Sequence, residues 1–473
     1  MLKNIAKSQV LERIRFENPW WLSGRIEDDF DKMPRRIYFD LFKPLVIEHE
    51  VRRAIVLMGP RRVGKTVMLY HSIQDLIDQG YNPKKIIFIT IENPIYNAIS
   101  LEQLFSYAKE ATGNTEPDGW TIIFDEIQYC RDWEIHLKTL VDSYRRDKFI
   151  VSGSAAAALK FASNESGAGR FTDFLLPPLT FNEYISMKGY DHLIKTIELT
   201  WKGSPQKFYS TVHLDELNRH FVDYINYGGY PEVIFSPSIQ SNPGRYIRHD
   251  IIDKVLLRDL PSLYGIADTR ELNSLFTTIA YNSAAEFSLE SLSKQSQVPK
   301  NTLKKYLEYL EAAYLIKIVR RIDQSGKRFK RDNFFKIYLT NPSLRSALFA
   351  PITATDEMMG AMVETAIFSQ WMHRDWFTPW YARWANGEVD MVGLNANLKP
   401  VWAVEIKWSD RYFNKPQELK SLLRFCTENN LNTPIVTSIS KEGNQYQNDI
   451  ELQFLPSACY AYTVGKNSLD AKK

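Results

Sequence analysis

AIVLMGPRRVGKT, residues 54–66, joins five consecutive apolar residues to the pattern G-x-x-x-x-G-K-[ST]. An uninterrupted apolar run of that length predicts a strand buried on both faces. Gly59 and Gly64 let the backbone N–H groups around Pro60, Arg61, Arg62 and Val63 curl about phosphate oxygens. A helix predicted from Lys65 through Leu76 adds the partial positive charge of its N-terminus. In such a loop Lys65 reaches the β- and γ-phosphates and the Thr66 hydroxyl faces Mg²⁺. The stretch therefore predicts a binding site for ATP with Mg²⁺.

Working outward, four more apolar runs alternate with helical stretches: Ile86–Thr90, Thr121–Phe124, Phe149–Ser152 and Asp173–Leu176. Such alternation indicates an α/β fold with a parallel sheet covered on both faces. The third strand ends in Asp125-Glu126 at the sheet edge where α/β ligands bind. There Asp125 is placed to hold Mg²⁺ through its water shell, and Glu126 to orient or deprotonate the attacking water. Ser152-Gly153-Ser154 closes the next strand, where a hydroxyl is placed to sense a γ-phosphate. Gly169-Arg170 precedes the last strand, so that Arg170 is a candidate arginine finger, in cis or across a subunit boundary. An ordinary surface arginine is the competing reading.

The chain has 473 residues, 44% of them hydrophobic and 13% aromatic, enough for several packed cores. Cys130, Cys426 and Cys459 are too few and too scattered for a disulfide framework or a zinc knuckle. No apolar run has the length of a membrane span, and the expected setting is the cytoplasm. Lys and Arg number 59 against 56 Asp and Glu, a net charge of +3 that as an average argues against a nucleic-acid-coating protein. Asn18-Pro19-Trp20-Trp21 reads as a packing anchor, residues 180 to 266 as mostly helical, and the last six residues as frayed.

The order GPRRVGKT, TIIFDEIQ, SGSA, GR, LTFNEY (residues 179–184) and YGGYPE (residues 227–232), with the N-terminal NPWW, resembles a large prokaryotic family. Its members join an AAA-type ATPase domain to a C-terminal domain long labelled as of unknown function. The resemblance covers nearly the whole chain. It implies a P-loop fold with strand order 5-1-4-3-2, with Lys65, Thr66, Asp125 and Glu126 in their usual roles, Ser154 as sensor and Arg170 as finger. The expected organisation is an N-terminal extension (1–45), the ATPase domain (46–190) and a helical linker or lid (191–270), followed by two further domains.

The first of these, 271–345, reads as a winged helix–turn–helix. Ser288–Gln295 and Lys300–Ala312 are the predicted helices, and Leu315–Arg321 and Lys336–Thr340 the wing strands. From Ser288 to Arg331 there are eleven basic residues against four acidic ones, a local charge of +7 that the whole-chain average conceals. Duplex DNA is the expected partner, through this segment and the one after it. A homo-oligomer or a protein partner docked on a solvated basic face is the alternative.

The last segment, 346–473, begins with a helix, Met358–Trp371, that carries Glu364. Asn386-Gly387 then marks a hairpin with Asp390 on its second strand, and Val401–Lys407 follows as a further strand. Glu405 and Lys407 share one face of that strand. The set Glu364, Asp390, Glu405-x-Lys407 resembles the PD-(D/E)XK nuclease superfamily. The resemblance implies hard oxygens for Mg²⁺ from Asp390 and Glu405, Glu364 as a third carboxylate, and Lys407 to hold hydroxide or stabilise phosphodiester charge. Gln417 is the candidate for the extra polar residue after the lysine. The functional expectation is an ATPase that controls DNA binding and metal-dependent cleavage. The alternative is an ATP-dependent switch or partner-remodelling ATPase whose nuclease-like domain only binds.

Overall fold

The structure is a computed structural model that describes residues 6–48, 50–153, 169–201, 204–328, 333–374 and 376–472. Ser154 therefore lies outside the described residues. The chain divides into two compact units that meet in sequence between Pro177 and Pro178.

The first unit is built on a parallel sheet of β1 (Ala54–Met58), β2 (Ile86–Thr90), β3 (Thr121–Asp125), β4 (Lys148–Gly153) and β5 (Phe171–Leu175). Its order, β2-β3-β4-β1-β5, is the expected 5-1-4-3-2. The helix Lys65–Asp78 starts at the predicted residue and follows the loop without a break.

β2 is an edge strand, and an exposed parallel edge invites further pairing. The N-terminal residues cover it. The Asn18 amide donates to Phe88 O at 2.8 Å and accepts from Phe88 N at 2.7 Å, standing in for a neighbouring strand. Trp20 and Trp21 Nε1 both donate to Ile86 O, at 3.0 and 2.8 Å, and Glu17 Oε2 accepts from Thr90 N at 3.2 Å. The outward groups of residues 86, 88 and 90 are thus satisfied by side chains, which is the physical content of the packing anchor.

In the second unit β6 (Lys195–Trp201) and β7 (Ser204–Ser210) pair antiparallel. The stretch from 180 to 266 is otherwise helical as expected, and this hairpin is the exception to that reading. The period-2 alternation of KTIELTW, rich in β-branched residues, was the signal for a strand. The LTFNEY and YGGYPE segments pack on each other: Leu179 N donates to Gly229 O at 2.9 Å and Tyr224 OH to Leu179 O at 2.8 Å. A Cβ on Gly229 would lie 2.6 Å from the Asn341 side chain, so that close approach admits only glycine.

Nine further strands form one sheet: β8 (Glu286–Ser288), β9 (Ile316–Ile322), β10 (Phe334–Leu339), β11 (Trp380–Trp384), β12 (Gly387–Leu394), β13 (Pro400–Glu405), β14 (Ile435–Ser438), β15 (Gly443–Gln447) and β16 (Ile450–Pro456). Their order is β15-β16-β14-β13-β12-β11-β9-β10-β8. The helices Leu289–Ser296 and Lys300–Ala312 precede the β9–β10 pair, at nearly the expected bounds. That pair is not a free-standing wing. β9 joins β11 in parallel through Tyr381↔Arg321 and Ala382↔Ile322, so residues 271–345 and 346–473 share a continuous sheet.

The chain ends in the helix Ser457–Asp470, in which Ser468 and Leu469 are fully buried. Arg374 Nε donates to Ser468 Oγ at 2.9 Å. The expected fraying of the last six residues, from which Leu469 is excepted, is therefore wrong at Ser468, because tertiary packing holds what composition alone would leave loose.

Candidate functional site

Parallel pairing brings the C-terminal ends of β1, β3 and β4 to one edge, with Leu57 opposite Ser152 and Phe124 opposite Val151. The glycine-bearing loop, Asp125-Glu126 and Ser152 meet there. Gly59 cannot be replaced without moving backbone, since a Cβ would lie 2.2 Å from Leu176 O. Gly64 (φ +95°) has a left-handed backbone, the conformation that turns the loop into the helix and favours glycine.

Lys65 is buried, and its ammonium donates to Gly59 O at 3.0 Å and Pro60 O at 2.8 Å, which holds it against the loop it serves. Thr66 Oγ1 donates to Asp125 Oδ2 at 2.8 Å, and the Ser152 hydroxyl donates to Asp125 Oδ1. Burial, reinforced by the neighbouring Glu126, pushes the Asp125 carboxyl up to about 6. A hydroxyl and a buried carboxylate in contact suit a hard divalent cation such as Mg²⁺, which would relieve that burial.

Glu126 has φ +56°, a strained setting for a residue with a Cβ, and its carboxylate accepts from Gln128 Nε2. Arg61 Nη2 reaches Tyr129 OH at 3.3 Å, tying the loop to the segment after β3. Arg62 also has a positive φ, +65°, and Val63 is fully buried.

Ser152, read in the sequence as part of the strand end Ser152-Gly153-Ser154, contacts Asp125 from the strand between β1 and β3. Arg36, from the N-terminal extension, is buried and donates to Val63 O at 2.9 Å and twice to Pro177 O at 3.1 Å. No local pattern announces a contact 141 residues away in sequence.

Arg170 is a correction. Its carbonyl accepts from Ala54 N at the start of β1, at the sheet edge opposite the loop. Five-residue strands rise about 13 Å from end to end at ~3.3 Å per residue. Arg170 Nε pairs with Asp142 Oδ1 at 2.7 Å on that far edge, which removes the reading in cis. Spacing in sequence does not reveal which end of a strand a flanking residue occupies.

With this geometry in view, residues 51–185 match the family model described as AAA domain. This segment is a P-loop AAA ATPase domain. Residues 218–356 match a second model, described as a domain of unknown function (DUF8612). An uncharacterized protein of Haemophilus influenzae is 25% identical over 295 residues, covering 61% of this chain and 68% of that one. An uncharacterized protein of Methanocaldococcus jannaschii is 23% identical over 395 residues, 81% of each chain. Among solved structures, the Walker-type ATPase PABY2304 of Pyrococcus abyssi is similar at TM-score 0.40 and 15% identity, over 68% of this chain and 97% of that one. The Orc1 protein of Aeropyrum pernix in complex with DNA is similar at TM-score 0.33 and 10% identity, over 70% and 95%. Overlays at these scores carry no function to this chain; the AAA domain rests on its family match and its loop.

The second unit holds a separate charged cluster. Lys407 Nζ bridges Glu405 Oε1 at 2.7 Å and Asp390 Oδ2 at 3.2 Å, while Ile406 N donates to Asp390 Oδ2 at 2.8 Å. Burial works against a charged Asp390, but Lys407 and Lys336 hold its carboxyl below the usual range. Burial and the nearby Asp390 push Glu405 up to about 7, and its Oε2 is buried without a hydrogen-bond partner. Burial disfavours the Lys407 ammonium, yet the two carboxylates outweigh it and keep it protonated well above the usual range.

Glu364 departs from expectation. Its Oε1 accepts from Lys336 Nζ at 2.8 Å and from Tyr338 OH at 2.6 Å, both on β10. Among the described residues, no three His, Cys, Asp or Glu side chains come together as a metal-holding group. Glu364 is thus ion-paired to Lys336, with Asp390 within electrostatic reach. Gln417 is exposed in the turn Pro416–Glu418.

The basic face of residues 288–328 is partly neutralised. Lys317 pairs with Glu311 at 2.9 Å and Arg321 with Glu286 at 3.2 Å, and Arg328 lies over the Trp380 ring at 4.3 Å. Lys304 and Lys305 are exposed on the helix Lys300–Ala312. Lys330 and Arg331, two of the eleven basic residues, lie outside the described residues. Among the described residues, no helix is long and apolar enough to cross a membrane.

Proposed function

We propose that the chain hydrolyses ATP at its AAA loop and uses it to control duplex DNA binding and metal-dependent phosphodiester cleavage in the second unit. At the loop, Lys65 neutralises charge on the terminal phosphates and Glu126 orients the attacking water. Thr66 and Asp125 would hold Mg²⁺, which supplies charge stabilisation on the leaving phosphate. Ser152 senses the γ-phosphate through Asp125, and Ser154 is the second candidate sensor. Arg170 serves only in trans.

The observation that carries the DNA-cleaving half is the Lys407 ammonium set between Asp390 and Glu405, beside an unpartnered Glu405 Oε2. A buried acceptor without a donor is a natural place for a cation. Asp390 and Glu405 would hold Mg²⁺, which when bound supplies an activated water. Lys407, kept protonated by its neighbours, stabilises phosphodiester charge and does not abstract a proton. The helix Lys300–Ala312 reads duplex DNA in the manner of a winged helix, with Lys304 and Lys305 on phosphates. This part of the proposal is supported by helix order, exposure and charge.

A second reading, in which the nuclease-like segment binds without cleaving, is favoured by one observation: every carboxylate of the cluster already faces an ammonium. One experiment separates the two. Wild type, Lys65→Ala and Lys407→Ala are incubated with single- and double-stranded DNA and Mg²⁺ or Mn²⁺, with and without ATP. Cleavage that disappears in Lys407→Ala and changes in Lys65→Ala supports the first reading. ATP hydrolysis with no cleavage in wild type supports the second.

A further inference from the structure

Four acids and two lysines form the cluster in the second unit, and each lysine bridges two of the acids. Lys407 joins Asp390 to Glu405. Lys336 joins Glu364, at 2.8 Å, to Glu388, at 2.6 Å. Glu388 and Asp390 are two residues apart on β12 and share a face. The two lysines come from different places. Lys407 follows β13, whereas Lys336 lies on β10, the strand that follows the helix–turn–helix.

Lys336 is only 4% exposed, deeper than any acid it meets. Its neighbour on the same face of β10, Tyr338, donates to the same Glu364 oxygen, and its ring stacks on Phe368, one helical turn after Glu364, at 4.1 Å. Both hydrogen-bond donors to Glu364 thus come from one strand. Neither belongs to the helix–strand–strand–strand segment that carries Glu364, Asp390, Glu405 and Lys407.

We propose that Lys336 is a positioning residue of the Asp390–Glu405–Lys407 site: with Tyr338 it aims the Glu364 carboxylate, making β10 part of the site. This rests on the metal-site reading above and adds a residue to it. Glu364 then acts on a cation held by Asp390 and Glu405 across the cluster, without a bond to it. Without Lys336 the carboxylate loses one of its two donors from β10 and with it the orientation they impose.

The test is a double-mutant cycle on the full chain, with Asp125→Ala in every sample including the reference called wild type so that the ATP loop adds no cation site, read as Mn²⁺ affinity by electron paramagnetic resonance, with thermal unfolding alongside. Glu364→Gln is expected to weaken Mn²⁺ binding at least fivefold in the wild-type background. In the Lys336→Met background the same change is expected to matter less than twofold, and Lys336→Arg is expected to restore its effect. An equal factor in both backgrounds overturns the proposal, as does a Glu364→Gln effect below twofold in wild type. A lowered unfolding temperature with equal factors assigns Lys336 to stability alone. Wild type that binds no Mn²⁺ overturns the metal-site reading itself, and does so before any variant is compared.

Discussion

Replacing Arg36 by Met should loosen the ATP loop from outside it. The guanidinium is buried, with Nη1 2.9 Å from Val63 O in the loop and both Nη atoms 3.1 Å from Pro177 O. Pro177 follows Leu176, whose carbonyl is the atom that forbids a side chain on Gly59. Arg36 therefore fastens the far side of the loop to the backbone that shapes its near side. Hydrogen bonds from a charged donor contribute about 1.5–3 kcal/mol each. Counting the two Pro177 contacts as one acceptor, the loss is about 3–6 kcal/mol, partly offset because Met needs no desolvated charge.

In a unit of this size about 1 kcal/mol moves the unfolding midpoint by roughly 2–4 °C. The calorimetric transition that a non-hydrolysable ATP analogue raises should therefore fall by roughly 10 °C in Arg36→Met. If about 1.4 kcal/mol of the loss falls on loop order, KM for ATP rises about tenfold. Turnover should change less, since no reacting group is touched. A lowered midpoint with KM within about twofold of wild type would refute the reasoning: Arg36 would then hold the fold and leave the loop to itself.

Asp125, pushed up to about 6 by burial and Glu126, keeps its proton in the folded chain where the unfolded chain has released it. Its contribution to stability is present below the unfolded value near 4 and is lost as pH rises through about 6. The ionised form is the one that serves Mg²⁺, so kcat/KM for ATP should climb through about pH 6; a profile flat from about pH 5 to 8 contradicts this. Asn18→Ala orphans the outward N–H and C=O of Phe88 and should lower stability by about 3 kcal/mol, read from the denaturant midpoint. Arg170→Ala removes a half-exposed pair with Asp142 and should change stability by less than about 1 kcal/mol. ATP turnover of that variant at low chain concentration should stay within about twofold of wild type, and a larger loss there would return Arg170 to a role in cis.

What could be read in advance was whatever depends on neighbours in sequence. β1 to β4 carry continuous apolar runs, and the loop and its helix are contiguous, so those strand positions and the helix start at Lys65 were legible, whereas β5, with Thr172 and Asp173 inside it, begins two residues before the expected run. The hairpin Lys195–Ser210 was legible too, in its alternation, but it lay among long helical stretches and took their reading. The edge of the sheet that Arg170 occupies was not legible, because an arginine before a strand looks the same whichever way the strand runs.

The same limit explains Lys336. In sequence it opens the expected wing strand Lys336–Thr340, just past the basic segment, where a lysine reads as a solvated charge. Burial reverses that reading: a lysine at 4% exposure cannot face a phosphate backbone, and here it faces two carboxylates. Arg321 is turned the same way, toward Glu286, which Tyr381 also holds at 2.8 Å. Arg321 thus draws part of the local +7 inside the unit, and with Lys336, which lies beyond that segment, it stitches β8, β9 and β10 to β11, β12 and the helix that bears Glu364. A fragment beginning at residue 346 would lack Lys336, Tyr338 and the β9 partner of β11, and would leave Glu364 buried without a donor. The segment that looks like a nuclease domain in sequence is thus completed by the strands before it, and the carboxylate cluster belongs to the sheet they share.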